Sequence, residues 1–286
     1  MFVKTKNFSD DELKKFRALQ QRSYSILESA ASKLAGGETE KEVAHQLVKD
    51  YYASGASSFF HLPVVLFGDR TALPGNWSVN KFFPKKKLLE DGQSVILDAS
   101  PIYDGYLVDT SYSFCFGDNA QHRDMMLHLS QYRESILASV NAGEGFMQIA
   151  ESVNNNMTGQ GYEPVHTKHI GEVLGHRAVK LSYLPVRPRI KGFDAFTITW
   201  FKLKEKLAES GLGRRSPLWN ALKTSDHEPH DGLWLVEPHA GKEGVGAKWE
   251  EIMVIEDGQG RWLEDTPPHV RQWQQIESGQ SYRPLI

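Results

Sequence analysis

Asp98 closes the apolar run Val95-Ile96-Leu97, and Asp109, 11 residues later, follows Leu107-Val108 beyond the turn Asp104-Gly105. Successive side chains of a strand point to opposite faces, so a carboxylate on a buried face is costly and needs a reason. Two adjacent strands joined by that turn can aim both acids into one pocket, where they repel unless a cation or a shared proton lies between them. Other polar groups stand in equally apolar settings: His169 and His176 in HIGEVLGHR, Glu237 after Leu233-Trp234-Leu235-Val236, and Glu250 and Glu251 ahead of Ile252-Met253-Val254-Ile255. Two Asp, one His and two Glu on β elements suit a site for two hard or borderline divalent ions. Glu250 is favoured over Glu251 as the last acid because it shares a face with Ile252 and Val254. His166 and His176 stand beside His169 as alternative metal-binding imidazoles.

The elements that must position these groups follow from periodicity and caps. Ser9-Asp10-Asp11-Glu12 opens a long amphipathic helix to about Leu34, and Thr39 caps a second, Glu40 to Ala53, closed by Gly55. Strands are expected over Phe59 to Phe67, Ser94 to Ser100 and Tyr106 to Phe116. Helices then recur over Met125 to Val140 and Phe146 to Met157. The stretches around the second helix of each pair superpose: Gly37 and Gly143, Val43 and Ile149, Ala44 and Ala150, and Gly55 and Gly161 are all 106 apart. This predicts a duplicated unit of two helices followed by sheet. The expected organisation is one catalytic domain over 1–286, with halves of about 9–117 and 122–263 and an insertion over about 183–230. That insertion holds Pro185, Pro188, Pro217, Pro229 and an amphipathic run from Phe201 to Leu212, which suits a short helix packed as a lid or subunit contact. Strands over Leu233 to Glu237 and Lys248 to Glu256 end the second half, and a partly ordered tail is expected from about Thr266.

Composition narrows the chemistry. The chain has 286 residues, 40% of them hydrophobic, and 33 Lys+Arg against 36 Asp+Glu give a formal charge of −3. There is no basic footprint for nucleic acid. Cys115 is the only cysteine, which excludes intramolecular disulfides and thiolate zinc sites. Any metal must therefore be held by His, Asp and Glu. The first residues lack an apolar leader, and no stretch approaches the roughly 18 apolar residues of a membrane span, so a cytoplasmic protein with no membrane partner is expected. A homodimer is expected on the general frequency of symmetric pairs.

The order of Asp98, Asp109, His169, Glu237 and Glu250 resembles the pita-bread metallopeptidase superfamily of methionine aminopeptidases, aminopeptidases P, prolidases and creatinases. VILDASPIYDGYLVDTSYSFCFG is similar to the segment of that family's first two ligands, LVEPHAG to its Glu-Pro segment and KWEEIMVIEDG to its last, and the resemblance runs from about Leu13 to Leu263. It implies an α+β pita-bread fold with internal pseudo-two-fold duplication. It also implies two divalent ions, Mn, Co, Fe or Zn: Asp98 on one, Asp109 and Glu250 bridging, and His169 and Glu237 completing the other. A water between the ions would attack a polarised carbonyl. Glu237 would also pass protons, and His176 would bind the substrate carbonyl or the oxyanion.

Three departures accompany these matches. Ile170 follows His169 where the family usually has glycine, and the last segment is one residue short. Gly75-Asn76-Trp77 follows FGDRTALP where aminopeptidase P and prolidase carry a histidine after the proline, with Asn76 or His61 as candidate substitutes. The implied activity is removal of an N-terminal residue from peptides, with FGDRTALP pointing toward Xaa-Pro. Alternatives are creatinase-like hydrolysis of a small amide or amidine, and a non-catalytic binding module.

Overall fold

Reciprocal caps start the first helix pair. Ser9 Oγ accepts from the Glu12 backbone N–H while the Glu12 carboxylate accepts from that of Ser9, and Thr39 and Glu42 repeat the exchange. These caps open α1 (Asp10–Ser32) and α2 (Glu40–Ala53) in a computed structural model that describes residues 2–76, 78–182, 192–212 and 215–279. Trp77, Pro185 and Pro188, named above, and the first residues of the expected insertion, 183–191, lie outside the described residues. Asn119 caps α3 (Ala120–Asn141), and α4 (Phe146–Gly159) follows.

Between α2 and α3 the strands Val64–Phe67, Gln93–Ala99 and Thr110–Phe116 form an antiparallel sheet with Gln93–Ala99 in the middle. After α4 comes a five-stranded antiparallel sheet in the order Leu218–Asn220, Val173–Ala178, Gly232–Val236, Glu251–Glu256, Gln259–Trp262. Its two-residue period divides the core. Leu233, Leu235, Ile252 and Val254 join the buried side chains of α1 and α2, whereas Trp234, Val236, Met253 and Ile255 join those of α3 and α4. A small sheet of Val245–Lys248, His239–Lys242 and Glu163–Pro164 stands beside the first, and Ser113 of one bonds Lys248 of the other. The insertion forms α5 (Ala195–Glu209), covering most of the expected amphipathic run.

Two expectations are corrected. The span Phe59 to Phe67 is two strands, Ser58–Phe59 and Val64–Phe67, because Pro63 has no N–H for a ladder and restricts Leu62 before it. Tyr106 to Phe116 is also two strands, Tyr106–Leu107 and Thr110–Phe116: the chain changes sheets at Val108 and Asp109. The tail, expected to be only partly ordered from about Thr266, forms α6 (Pro268–Glu277) within its described residues, anchored by buried His269 and Trp273, whose rings lie 5.3 and 6.1 Å from that of Trp249.

Candidate active site

The two sheet breaks and the strand ends converge on one buried cluster. Asp98 lies in the Gln93–Ala99 strand opposite Val64 and Ser111. Asp109 sits in the gap before Thr110–Phe116, Glu237 directly follows Gly232–Val236, and Glu250 directly precedes Glu251–Glu256. His169 ends the short turn Val165–Lys168, and His176 lies within Val173–Ala178. Of the five residues expected on β elements as ligands, only Asp98 is inside a strand; the others occupy ends and gaps, where the backbone can turn a side chain inward. All six are at most 8% exposed.

At the centre stands a residue the sequence reading passed over. The Lys248 ammonium donates to Asp98 Oδ2 at 2.8 Å, Glu237 Oε2 at 3.0 Å and Glu250 Oε2 at 3.2 Å. Burial works against its charge, but Asp98, Glu250 and Glu237 outweigh that and hold its pKa well above the ordinary lysine value. Its backbone is fixed as well, since Ser113 Oγ accepts from Lys248 N–H at 2.9 Å and donates to its carbonyl at 2.6 Å. The available signal was its place two residues before Glu250, the spacing that repeats a face in extended chain.

Histidines complete the cluster. His61, placed by the break at Pro63, brings Nε2 to 3.3 Å from Asp109 Oδ2 and 3.6 Å from Asp98 Oδ1. Burial opposes its protonation, but Asp109 and Asp98 raise its pKa to about 10. His176 Nε2 is 3.5 Å from Asp109 Oδ2 and 3.9 Å from Glu237 Oε1, and these acids likewise overcome burial to raise its pKa. The same imidazoles overcome the effect of burial on Asp109 and hold its carboxyl below the usual range. Glu250 behaves oppositely: burial, then the charge of Asp109, push its carboxyl well up. The rings of Phe60 and Phe201 lie 5.5 and 5.7 Å from that of His176, which sets α5 against the cluster.

His169 sits in a relay. His239 Nε2 donates to the Thr71 carbonyl at 2.7 Å, so its Nδ1 accepts from His169 Nε2 at 3.0 Å, and His169 Nδ1 meets Glu237 Oε2 at 3.0 Å. Both ring nitrogens of His169 are thus engaged. His166 is turned away, with Nε2 on Asn154 Oδ1 at 2.7 Å. Glu251 also points elsewhere, to Arg133 and His269. Asn76 is exposed.

The donor set is closed toward a cation on one side and open on the other. Around Glu237 the carboxylate, imidazole and ammonium satisfy one another. Asp98 Oδ1 and Asp109 Oδ1, both buried, have no hydrogen-bond partner. Among the described residues two groups bring three ligand atoms within 4.8 Å of one another: His61, Asp98 and Asp109, and Asp109, His176 and Glu250. One divalent ion suits such a set of carboxylate and imidazole donors. Two ions bound as the resemblance implies do not fit these residues as they stand, because the ammonium already draws on Asp98, Glu237 and Glu250.

A family model described as metallopeptidase family M24 matches residues 14–257. An uncharacterized peptidase of Staphylococcus aureus (strain bovine RF122 / ET3-1) is 24% identical over 168 residues, covering 58% of this chain and 46% of its own length. The chain therefore spans about half the length of the curated relatives it matches. Among solved structures, an X-Pro aminopeptidase from Thermotoga maritima superposes with a TM-score of 0.64 at 18% identity, covering 91% of this chain and 62% of that one. A methionine aminopeptidase from Rickettsia prowazekii gives 0.58 at 14% identity, covering 91% and 99%. The fold is the expected α+β pita-bread fold.

Proposed function

The chain belongs to metallopeptidase family M24, and from that premise we propose that it is a metal-dependent hydrolase that removes the N-terminal residue of peptides, Xaa-Pro sequences foremost. The observation that carries this reading is the cluster of Asp98, Asp109 and His61 beside His176, with two buried carboxylate oxygens lacking partners. A divalent ion held by those three residues would supply Lewis acidity and an activated water. Asp98 and Asp109 also give the charge that attracts a substrate ammonium. His176, whose Nδ1 bonds the Arg177 carbonyl at 3.2 Å, presents Nε2 to the cluster as a donor for a developing oxyanion. Glu237, its Oε2 fixed by Lys248 and His169, keeps Oε1 on the His176 side, where it can pass a proton to the leaving amine. Phe60 and Phe201 form an apolar wall for the side chain of the departing residue.

A second reading, hydrolysis of a small amide or amidine, is favoured by Lys248, which leaves less of the acid cluster for metal than a peptidase centre of two ions needs. Among the described residues no helix is long and apolar enough to cross a membrane. A cytoplasmic homodimer acting on peptides, with manganese as the first metal to test, completes the proposal. Initial rates on Xaa-Pro, Met-Xaa and small amide panels, with Mn²⁺ or Co²⁺ added to chelator-treated protein, test it. Release of the N-terminal residue is expected. Turnover of amides alone moves the assignment to the second reading, and inertness toward every panel overturns both.

A further inference from the structure

We infer that Lys248 is a built-in cation of this centre, standing in for one divalent ion, and that the centre takes a single ion at His61, Asp98 and Asp109. The inference rests on the family reading only for the expectation that a metal binds at all.

Four observations converge on it. An ammonium has three N–H groups, and those of Lys248 are matched by three carboxylates at 2.8, 3.0 and 3.2 Å, contributed by Asp98, Glu237 and Glu250. The side chain is 2% exposed and its backbone is held on both sides by Ser113, so it is part of the wall and not a surface lysine folded inward. His169, the imidazole expected on the Glu237 side, has both nitrogens in hydrogen bonds, to Glu237 and His239, leaving no lone pair directed at an ion. On the opposite side, Asp98 Oδ1 and Asp109 Oδ1 are buried without partners, and the His61 imidazole brings Nε2 to 3.6 Å from Asp98 Oδ1 and 3.3 Å from Asp109 Oδ2. A divalent ion beside Glu237 would have to displace Lys248 or lie against a like charge in a buried site, whereas one beside His61 meets unsatisfied oxygens.

The test is stoichiometry. Full-length protein, stripped with chelator, is titrated with Mn²⁺ by calorimetry, and bound metal is counted by elemental analysis after gel filtration. The wild type is expected to take one equivalent, with the electron paramagnetic resonance signal of an isolated Mn²⁺. His61→Ala, which leaves Lys248 in place, is expected to weaken that equivalent at least about 10-fold. Lys248→Met is expected to take two equivalents and to show spin coupling between them. Two equivalents in the wild type, none in the wild type, or one in a folded Lys248→Met protein each overturn the inference. If Lys248→Met does not fold, the wild-type count and the His61→Ala affinity decide alone. One equivalent without peptide turnover leaves this inference standing and removes the proposed function, and two equivalents with turnover do the reverse.

Discussion

Glu250 and Glu251 are adjacent, almost wholly buried and chemically identical, yet they serve opposite ends. Glu251 is saturated: Arg133 Nε and Nη2 donate to its two oxygens at 2.6 and 3.2 Å, and His269 Nε2 donates at 3.0 Å. These bonds tie α3 and α6 to the five-stranded sheet, and the charge is balanced within the fold. Glu250 has Lys248 as its ammonium partner, shared with two other acids, and Asp109 nearby raises the cost of its charge. A one-residue step turns a side chain from a neutralised brace into a cluster with an excess of carboxylates. A buried acid marks a site when its surroundings leave its charge unfinished, and burial alone does not distinguish the two cases.

Breaking the brace should have the largest effect. Glu251→Leu strands the Arg133 guanidinium and is expected to cost about 3–5 kcal/mol of stability, measured by urea unfolding; a loss below about 1 kcal/mol would remove the contrast. His176→Ala should leave metal stoichiometry unchanged and lower kcat by about 10²–10³, equivalent to about 2.7–4 kcal/mol. An emptied metal site in that variant would make His176 a ligand and redraw the cluster. Glu250→Gln, which keeps the shape and removes a repelling charge, should change stability in chelator by less than about 1 kcal/mol. A loss as large as that of Glu251→Leu would show that both acids are braces.

The smallest effect is in the pH dependence. Burial holds the His269 pKa below 6.5, so the unfolded chain takes up a proton that the folded chain resists. This stability is therefore complete above about pH 6.5 and lost as pH falls toward the folded value, by at most about 1.4 kcal/mol per pH unit for one group. Buried His122, with a pKa near 4, adds loss of the same sign. His269→Gln should show a shallower decline of Tm between pH 7 and 5 than the wild type, and an equal slope would count against the assignment.

That Asp98, Asp109, Glu237 and Glu250 meet is legible in the sequence because each follows or precedes an apolar run, where a carboxylate has no cheap explanation. Lys248 was hidden by the same logic, since a lysine at the start of a strand normally reaches water along its own stem. His61 was named only as a substitute for a missing histidine, and its place beside Asp98 and Asp109 was hidden by the assumption of an unbroken strand, although Pro63 was there to break it. The helices were legible from their caps, but α6 was not: its apolar side chains are few, and Trp273 and His269 find a partner only because Trp249 lies across the fold. The insertion showed its helix through periodicity, whereas the placement of Phe201 on His176 depends on tertiary packing that no local pattern encodes.

The anchoring of the Glu250 segment by α1 bears on the order in which the chain assembles. Tyr24 Oη donates to the Glu250 carbonyl, and Gln20 Oε1 accepts from the Ile252 N–H at 2.8 Å, contacts that close 226 and 232 residues of chain. Asp98 likewise meets its ammonium across 150 residues. On a ribosome the first helix and the first two acids emerge long before Lys248 exists to neutralise them. The cluster is therefore completed late in synthesis, and until then Asp98 and Asp109 have only His61, itself earlier in the chain, to balance them.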